Sequence, residues 1–167
     1  MSIHKIDGGP GGETNHFPKK FVTLYSSDTS ITAGDFVMID PQDTTNGLGA
    51  SVRQAESGYN TNIHEGLCLG ISTQTITAAG NIVVQIAGKY ENANVAATVV
   101  CGQNLVMSTT VGRAQDATQL ACQTNFDALE RNIIAVALES EGAATGTEAF
   151  SGGTNLADVM IKNQGFF

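Results

Sequence analysis

The sequence has little charge and no tryptophan. Asp, Glu, Lys and Arg make up 14% of its 167 residues, against about 25% in typical soluble domains. There are 16 acidic and 8 basic side chains, so the formal net charge is −8. Binding to nucleic acid through counterion release needs clustered Lys and Arg. The basic residues of the body are instead scattered, at Arg53, Lys89, Arg113, Arg131 and Lys162. We therefore expect no nucleic-acid partner.

Long apolar runs and a cysteine framework are also missing. No run of 18 apolar residues occurs, and Met1 leads into a Gly-rich stretch rather than a signal-peptide core. We expect a chain made in the cytoplasm with no membrane partner. Cys68, Cys101 and Cys122 are an odd number without C-x-x-C spacing, so no disulfide framework is implied, although one bridge stays open. Cys68 lies in an apolar run and is interpreted as a small core residue.

Residues that could carry chemistry are present but do not form a pattern. His4, His16 and His64 are far apart, and His64-Glu65 is the nearest approach to a ligand pair. A Cys–His nucleophile would require Cys101 or Cys122 to meet His64 in space. The candidate paired carboxylates fall at turns and strand ends: Asp35, Asp40, Asp43, Glu139 and Glu141. We predict no catalytic residue, no metal site and no cofactor, and hence that the protein is not an enzyme.

The body instead consists of short apolar runs separated by Gly, Asn, Asp and Thr, which is typical of strands joined by turns. The same series of runs occurs twice. The first series covers residues 34–39, 50–55 and 66–71, followed by an alternating run at 82–86. The second covers residues 102–107, 112–115 and 133–138, followed by an alternating run at 156–161. We predict an all-β fold, a small barrel or sandwich built from a duplicated hairpin unit.

The remaining segments complete the predicted organisation. Residues 1–20 form an N-terminal arm, and the β-domain spans 21–167, starting with an alternating strand at 21–25. The strand at 81–88 is expected to bury Ile82, Val83 and Val84 on both faces, and 95–100 opens the second series. A short helix is predicted at 124–131, capped by Thr124. Residues 140–155 form a long loop.

Charge differs between the arm and the body. Residues 1–20 contain Lys5, Lys19 and Lys20 against Asp7 and Glu13, a formal charge of +1, which leaves −9 for the rest of the chain. This difference allows the arm to dock on an acidic neighbour.

Four segments, taken in order and spacing, resemble tailed-phage capsid decoration (cement) proteins over about residues 30–162. They are Ile31-Thr32-Ala33-Gly34-Asp35-Phe36-Val37, Glu65-Gly66-Leu67-Cys68-Leu69-Gly70-Ile71, Ile82-Val83-Val84-Gln85-Ile86-Ala87-Gly88-Lys89-Tyr90 and Ile133-Ile134-Ala135-Val136-Ala137-Leu138-Glu139. In that family a G-D-x-V strand, a G-x-A-x-x strand and a V-x-x-x-G strand precede a second round that ends in G-x-A-L-E. The arm before residue 21 and the 140–155 loop depart from the pattern.

The resemblance implies a β-barrel protein without catalytic activity that binds the outside of an icosahedral head, often as a homotrimer. Its partners would be the major capsid protein and itself, with the dimer also open, and its location the outer capsid surface of the virion. The arm and the 140–155 loop are then the candidate contact elements. Two other classes stay open: a virion surface adhesin or head-fibre base protein that contacts the host, and a small hydrolase on a β-barrel.

Overall fold

Nine β-strands make up the regular structure of the described residues, which in the computed structural model are 18–40, 43, 51–56, 68–96, 99–117, 133–140 and 155–162. The strands are β1 (Lys20–Ser26), β2 (Phe36–Ile39), β3 (Ser51–Gln54), β4 (Cys68–Ser72), β5 (Gly80–Asn94), β6 (Asn104–Met107), β7 (Ala114–Asp116), β8 (Ala135–Ala137) and β9 (Leu156–Ile161). These ranges contain no α-helix. The predicted all-β class is therefore confirmed, whereas barrel or sandwich closure stays a prediction. The predicted helix at 124–131, the arm up to residue 17 and the loop from 141 to 154 lie outside the described ranges.

The strand order mirrors the duplication in the sequence. The sheet runs β1-β3-β2-β4-β5-β9-β8-β6-β7, so the two series of strands extend in opposite directions from β5. We call β1 to β4 with the first half of β5 repeat A, and the second half of β5 with β6 to β9 repeat B. The middle strand of each series, β2 or β6, pairs with the two strands that follow it. The duplicated hairpin unit is thus present as an arrangement of paired strands.

The 15-residue strand β5 belongs to both repeats. Its first half pairs with β1 and β4, and its second half pairs with β9. Strand β1 also pairs in parallel with β3, so that the strands of repeat A form a closed ring of pairings. A parallel bridge between Val95 and Ala114 does the same for repeat B. The end of β5 therefore has the position in repeat B that β1 has in repeat A.

Strand register aligns the repeats residue by residue. Val37 pairs with Gln54 as Leu105 pairs with Asp116. Three backbone hydrogen bonds of repeat A also recur at the corresponding places of repeat B. In repeat A they run from Gly34 N to Ser72 O, from Thr73 N to Val83 O and from Ser27 N to Val52 O. In repeat B they run, in the same order, from Gly102 N to Ala137 O, from Leu138 N to Asp158 O and from Ala96 N to Ala114 O. Because both the backbone hydrogen bonds and the register repeat, the paired residues of repeat A have identifiable counterparts in repeat B.

Two apolar clusters form the core. The first lies within repeat A and consists of Ile31, Val37, Val52, Leu69, Ile82, Val84 and Ile86. Their counterparts in repeat B belong to the second cluster: Val99, Leu105, Ala114, Ile134, Ala157, Val159 and Ile161. The second cluster also takes in Phe36, Met38 and Cys68 from repeat A. Strand β2 is thus buried on both faces, with alternate residues in the two clusters, and this shared burial joins the repeats.

Two details differ from the sequence-based expectations. The strand predicted to end at residue 88 continues to Asn94, because from Gly88 (φ 89°) onward its pairing passes from β1 to β9, with a later register shift. The second series accordingly opens within β5 rather than at 95–100. The predicted burial of Ile82, Val83 and Val84 is confirmed for Ile82 and Val84, which are fully buried, and is wrong for Val83, which is only partly buried.

Candidate interaction surfaces

The carboxylate of Asp35 lies at the junction of the repeats. It precedes β2, is buried, and accepts three hydrogen bonds of 2.6–2.7 Å. The donors are the backbone N–H of Thr32, the Gln54 side-chain amide of β3 and the Asn94 side-chain amide at the end of β5. One carboxylate thereby ties together β2, β3 and the shared strand.

A turn of repeat B packs directly onto this carboxylate. The Gly112 carbonyl accepts from Phe36 N at 2.8 Å, and Gly112 N donates to the Ala55 carbonyl at 2.8 Å. A Cβ atom at residue 112 would lie 2.8 Å from Cγ of Asp35, and φ is 75°. Only glycine combines this close approach with the left-handed backbone without strain. The β6–β7 turn is therefore held against repeat A by two backbone bonds.

Tyr90 closes the junction from the shared strand. Its hydroxyl donates to the Ser72 carbonyl at 2.9 Å, and its ring packs against the second core cluster. Burial raises the pKa of Tyr90, the hydrogen bond to the Gly34 backbone opposes this, and the nearby Asp35 charge adds to the increase. The neutral hydroxyl is therefore the form that the fold stabilises.

The cysteines and histidines considered as nucleophiles are not brought together in the described ranges. Cys68 is buried in the core, as predicted, and desolvation by that burial raises the pKa of its thiol to about 12 against a smaller lowering by the Gly70 backbone. Cys101 is exposed, and its thiol donates to the Leu138 carbonyl at 3.1 Å. Cys122 and the three histidines, His4, His16 and His64, lie outside the described ranges, so their pairing stays untested.

The candidate carboxylates occupy separate structural positions. Asp40 accepts from the Ser27 hydroxyl at 2.8 Å, and Glu139 accepts from Asp158 N at 2.8 Å. Asp43 is buried, and Glu141 lies outside the described residues. Within the described ranges, no group of three or more His, Cys, Asp or Glu side chains could hold a metal ion. The same ranges include no helix long and apolar enough to cross a membrane.

Exposed apolar side chains form one surface on repeat A. Phe21 and Tyr25 of β1 are 53% and 38% exposed. They alternate with half-buried residues, and Thr23 between them pairs with Val83 of β5 on the same face. Lys19 and Lys20 are exposed at the start of the strand. We call Phe21, Tyr25 and Val83, with these two lysines, patch A.

A second exposed apolar surface lies on repeat B. Val100 and Leu138 are 51% and 37% exposed, and the exposed Cys101 lies between them. Two buried carboxylates adjoin it: Leu138 N donates to the Asp158 carbonyl, Glu139 accepts from Asp158 N, and the two acidic residues are only 6% and 4% exposed. The exposed Glu91 lies 3.8 Å from the ammonium of Lys89, which also contacts the Asp158 carboxylate at 2.7 Å. We call Val100, Cys101 and Leu138 patch B.

Sequence reasoning did not identify either patch. The alternation of residues 21–25 predicted the strand β1, but not which of its side chains would be exposed. Patch B joins two turns that are distant in the sequence, so no local pattern marks it.

The chain was also compared with known proteins. No protein-family model matches it, and no curated protein matches it.

Proposed function

We propose that this protein is a virion structural protein that binds the outer surface of an icosahedral phage head and stabilises the capsid by bridging neighbouring major capsid subunits. It acts without a cofactor and as an oligomer of itself, with a homotrimer expected. The proposal begins from the likeness of its four sequence segments to capsid decoration proteins.

The observation that carries the proposal is the pair of unlike exposed surfaces on one continuous body. Patch A is apolar and adjoins the exposed Lys19 and Lys20, and patch B is apolar and adjoins the Lys89–Glu91 ion pair. Apolar surface of this kind on a protein with few charges favours contact with other proteins. Two such surfaces, fixed relative to each other by the shared strand β5 and the Asp35 junction, suit a protein that contacts more than one neighbour at once.

The proposal is tested by adding the purified protein to expanded empty heads of the phage that encodes it. Copies bound per head are counted by electron microscopy and densitometry, and the melting temperature of the capsid is measured with and without the protein. We expect saturable binding and a higher melting temperature. Binding without a change in melting temperature fits instead an adhesin or fibre-base protein, and no binding contradicts the proposal.

The arm is the first element to examine as a capsid contact. Deletion of residues 1–17 is the appropriate cut, because Lys19 and the Pro18 carbonyl lie against Gly88 and belong to the folded body. We expect fewer copies bound per head while the isolated protein melts at an unchanged temperature. Unchanged occupancy and unchanged capsid heat resistance exclude the arm and leave the 140–155 loop as the next candidate.

A further inference from the structure

Half of the basic residues of this chain lie around Gly88. The chain has 8 Lys and Arg residues in all. Strand pairing brings four of them together from three separate segments: Lys19 and Lys20 at the start of β1, Lys89 in β5 and Lys162 after β9. The backbone of Lys19 lies directly against Gly88. We call these four residues the lysine cluster.

Strand register accounts for their proximity. Lys20 pairs with Ala87, the neighbour of Gly88 in β5. Ile161 of β9 pairs with Gly88, and Lys162 is the next residue along the chain. From the spacing within and between strands, the four lysine Cα atoms lie within about 10 Å of Gly88. Residues that are scattered in the sequence thus form one basic surface in the fold.

Most of this positive charge has no counter-charge. Lys89 is the exception, because its ammonium contacts Asp158 at 2.7 Å and Glu91 at 3.8 Å. The other three lysines are exposed and form no ion pair with another described residue: Lys19, Lys20 and Lys162. The cluster therefore presents at least three unneutralised ammonium groups to solvent.

The carboxylates of the described residues do not form a matching acidic surface. Most of them are buried, at Asp35, Asp40, Asp43, Asp116, Glu139 and Asp158. Asp28 and Glu56 are half-buried, and Glu56 lies 3.9 Å from Arg53. Glu91 is the exposed acidic residue of these ranges, and it is paired with Lys89. The described surface is thus more basic than the net charge of −8 for the whole chain indicates.

These charges distinguish between possible partners. A second copy presents no group of exposed carboxylates over the described ranges, so its described surface does not complement the cluster. An extended nucleic acid would pass beyond three lysines and meet a chain with a net charge of −8. A compact group of carboxylates on another folded protein complements the cluster in both extent and sign.

We propose that the lysine cluster binds a group of exposed carboxylates on the major capsid subunit. This inference rests on the proposed function and names the surface and the chemistry of that contact. The place where the arm joins the body supports it. Residues 1–17 join the described body at Pro18, and the Pro18 carbonyl lies against Gly88. The arm therefore starts at the lysine cluster, and both can contact the same neighbouring subunit.

The first experiment uses the isolated full-length protein. Binding of a fluorescent peptide of alternating Glu and Ser is followed by anisotropy, and a DNA duplex of equal charge is the comparison ligand. The test variant carries Lys19→Gln, Lys20→Gln and Lys162→Gln, which removes the three unpaired charges. The control carries Thr77→Glu, Thr109→Glu and Thr110→Glu, which shifts the net charge equally at exposed residues of the β4–β5 and β6–β7 connections. Circular dichroism confirms that both variants melt as the wild type does.

We expect the peptide to bind the wild type and the control, and to bind the lysine variant about tenfold more weakly, the combined effect of three exposed ion pairs. Added salt should weaken binding to the wild type, because it screens these pairs. A wild type that does not bind the peptide, or a lysine variant that binds it equally well, overturns the proposal. Tighter binding of the DNA duplex also overturns it, because the cluster would then be a nucleic-acid surface.

The second experiment adds the same three proteins to expanded empty heads. The lysine variant should need about tenfold more protein than the control to reach half occupancy. Equal binding by the lysine variant overturns the cluster as the capsid contact and leaves the proposed function intact. Heads that bind none of the three proteins overturn both, whereas the peptide titration still decides whether the cluster binds carboxylates.

Sedimentation of the isolated protein excludes the remaining partner. Salt-sensitive oligomers that the wild type and the control form, but the lysine variant does not, would show that the cluster binds a second copy and would overturn the proposal. We expect the three proteins to have the same oligomeric state.

Discussion

Asp35 and Gln103 occupy the same position in the two repeats, and each accepts a 2.7 Å hydrogen bond from the backbone N–H three residues earlier. The second hydrogen bond of each side chain differs in direction between the repeats. The Asp35 carboxylate accepts from the amide of Gln54, whereas the Gln103 amide donates to the carboxylate of Asp116. Since Gln54 and Asp116 also correspond by register, the repeats contain the same acid–amide pair with its members interchanged.

The exchanged pair predicts a compensating double substitution. Gln103→Asp places a second carboxylate beside Asp116 and should lower the free energy of unfolding by about 1–3 kcal/mol. Adding Asp116→Gln recreates the order found in repeat A and should recover most of that loss. A double-mutant cycle from urea unfolding measures the coupling between the two sites. Additive effects of the two substitutions show that the pair does not act as a unit.

Asp35 should matter more than a carboxylate with one partner. Asp35→Ala leaves three donors unpaired in a buried site and should lower the free energy of unfolding by about 3–5 kcal/mol. The matched control is Asp28→Ala, because half-buried Asp28 accepts from Gln54 N at 2.7 Å on the same strand. That control should lose about 1 kcal/mol. Equal losses in urea unfolding contradict the assignment of Asp35 as the junction.

Much of the fold could be predicted because its strands are short, apolar and bounded by turn residues. The duplication was visible in the sequence for the same reason, because the same order of apolar runs and turn residues occurs twice. Gly34 and Gly102, for example, each precede the middle strand of a repeat, and both glycines have positive φ. The sharing of β5 could not be predicted. It depends on pairing with β1, β4 and β9, which lie far away in the sequence, and Gly88 locally indicates a strand end.

The candidate surfaces were less predictable than the strands. Alternation along β1 shows that one face is exposed, but the exposed face depends on which side meets β5 and the core. The Asp35 junction likewise depends on Asn94 and Gly112, which the topology brings from the other repeat. Local sequence therefore predicts strands, whereas contacts between repeats require the three-dimensional structure.

Two glycines with similar backbone angles should respond differently to alanine. Gly112→Ala forces an alanine into a positive φ and also places its Cβ 2.8 Å from Asp35 Cγ. We therefore expect the free energy of unfolding to fall by about 2–4 kcal/mol. Gly102→Ala has φ 85° but nothing within 4 Å of the new Cβ, so only the conformational cost of about 1–2 kcal/mol applies. Denaturant midpoints of both variants give the comparison. Equal losses contradict a tight contact between the β6–β7 turn and repeat A.

Burial of Cys68 predicts a specific alkaline destabilisation. The pKa of its thiol is raised to about 12 in the folded protein, whereas an exposed thiol in the unfolded chain has a pKa of about 8.5. The unfolded chain therefore releases this proton first as the pH rises. The stabilisation is fully present below about pH 8.5 and is lost toward pH 12, at up to about 1.4 kcal/mol per pH unit.

The measurement is urea unfolding between pH 7.5 and about pH 10.5, in the wild type and in Cys68→Ala, under reducing conditions. The variant should be less stable at neutral pH, because it leaves a small cavity in the core. Its stability should fall less steeply above about pH 9 than that of the wild type, since the buried thiol no longer contributes. Other alkaline groups, Tyr90 among them, titrate in both proteins and cancel in the difference. Parallel pH profiles contradict a buried neutral thiol at position 68.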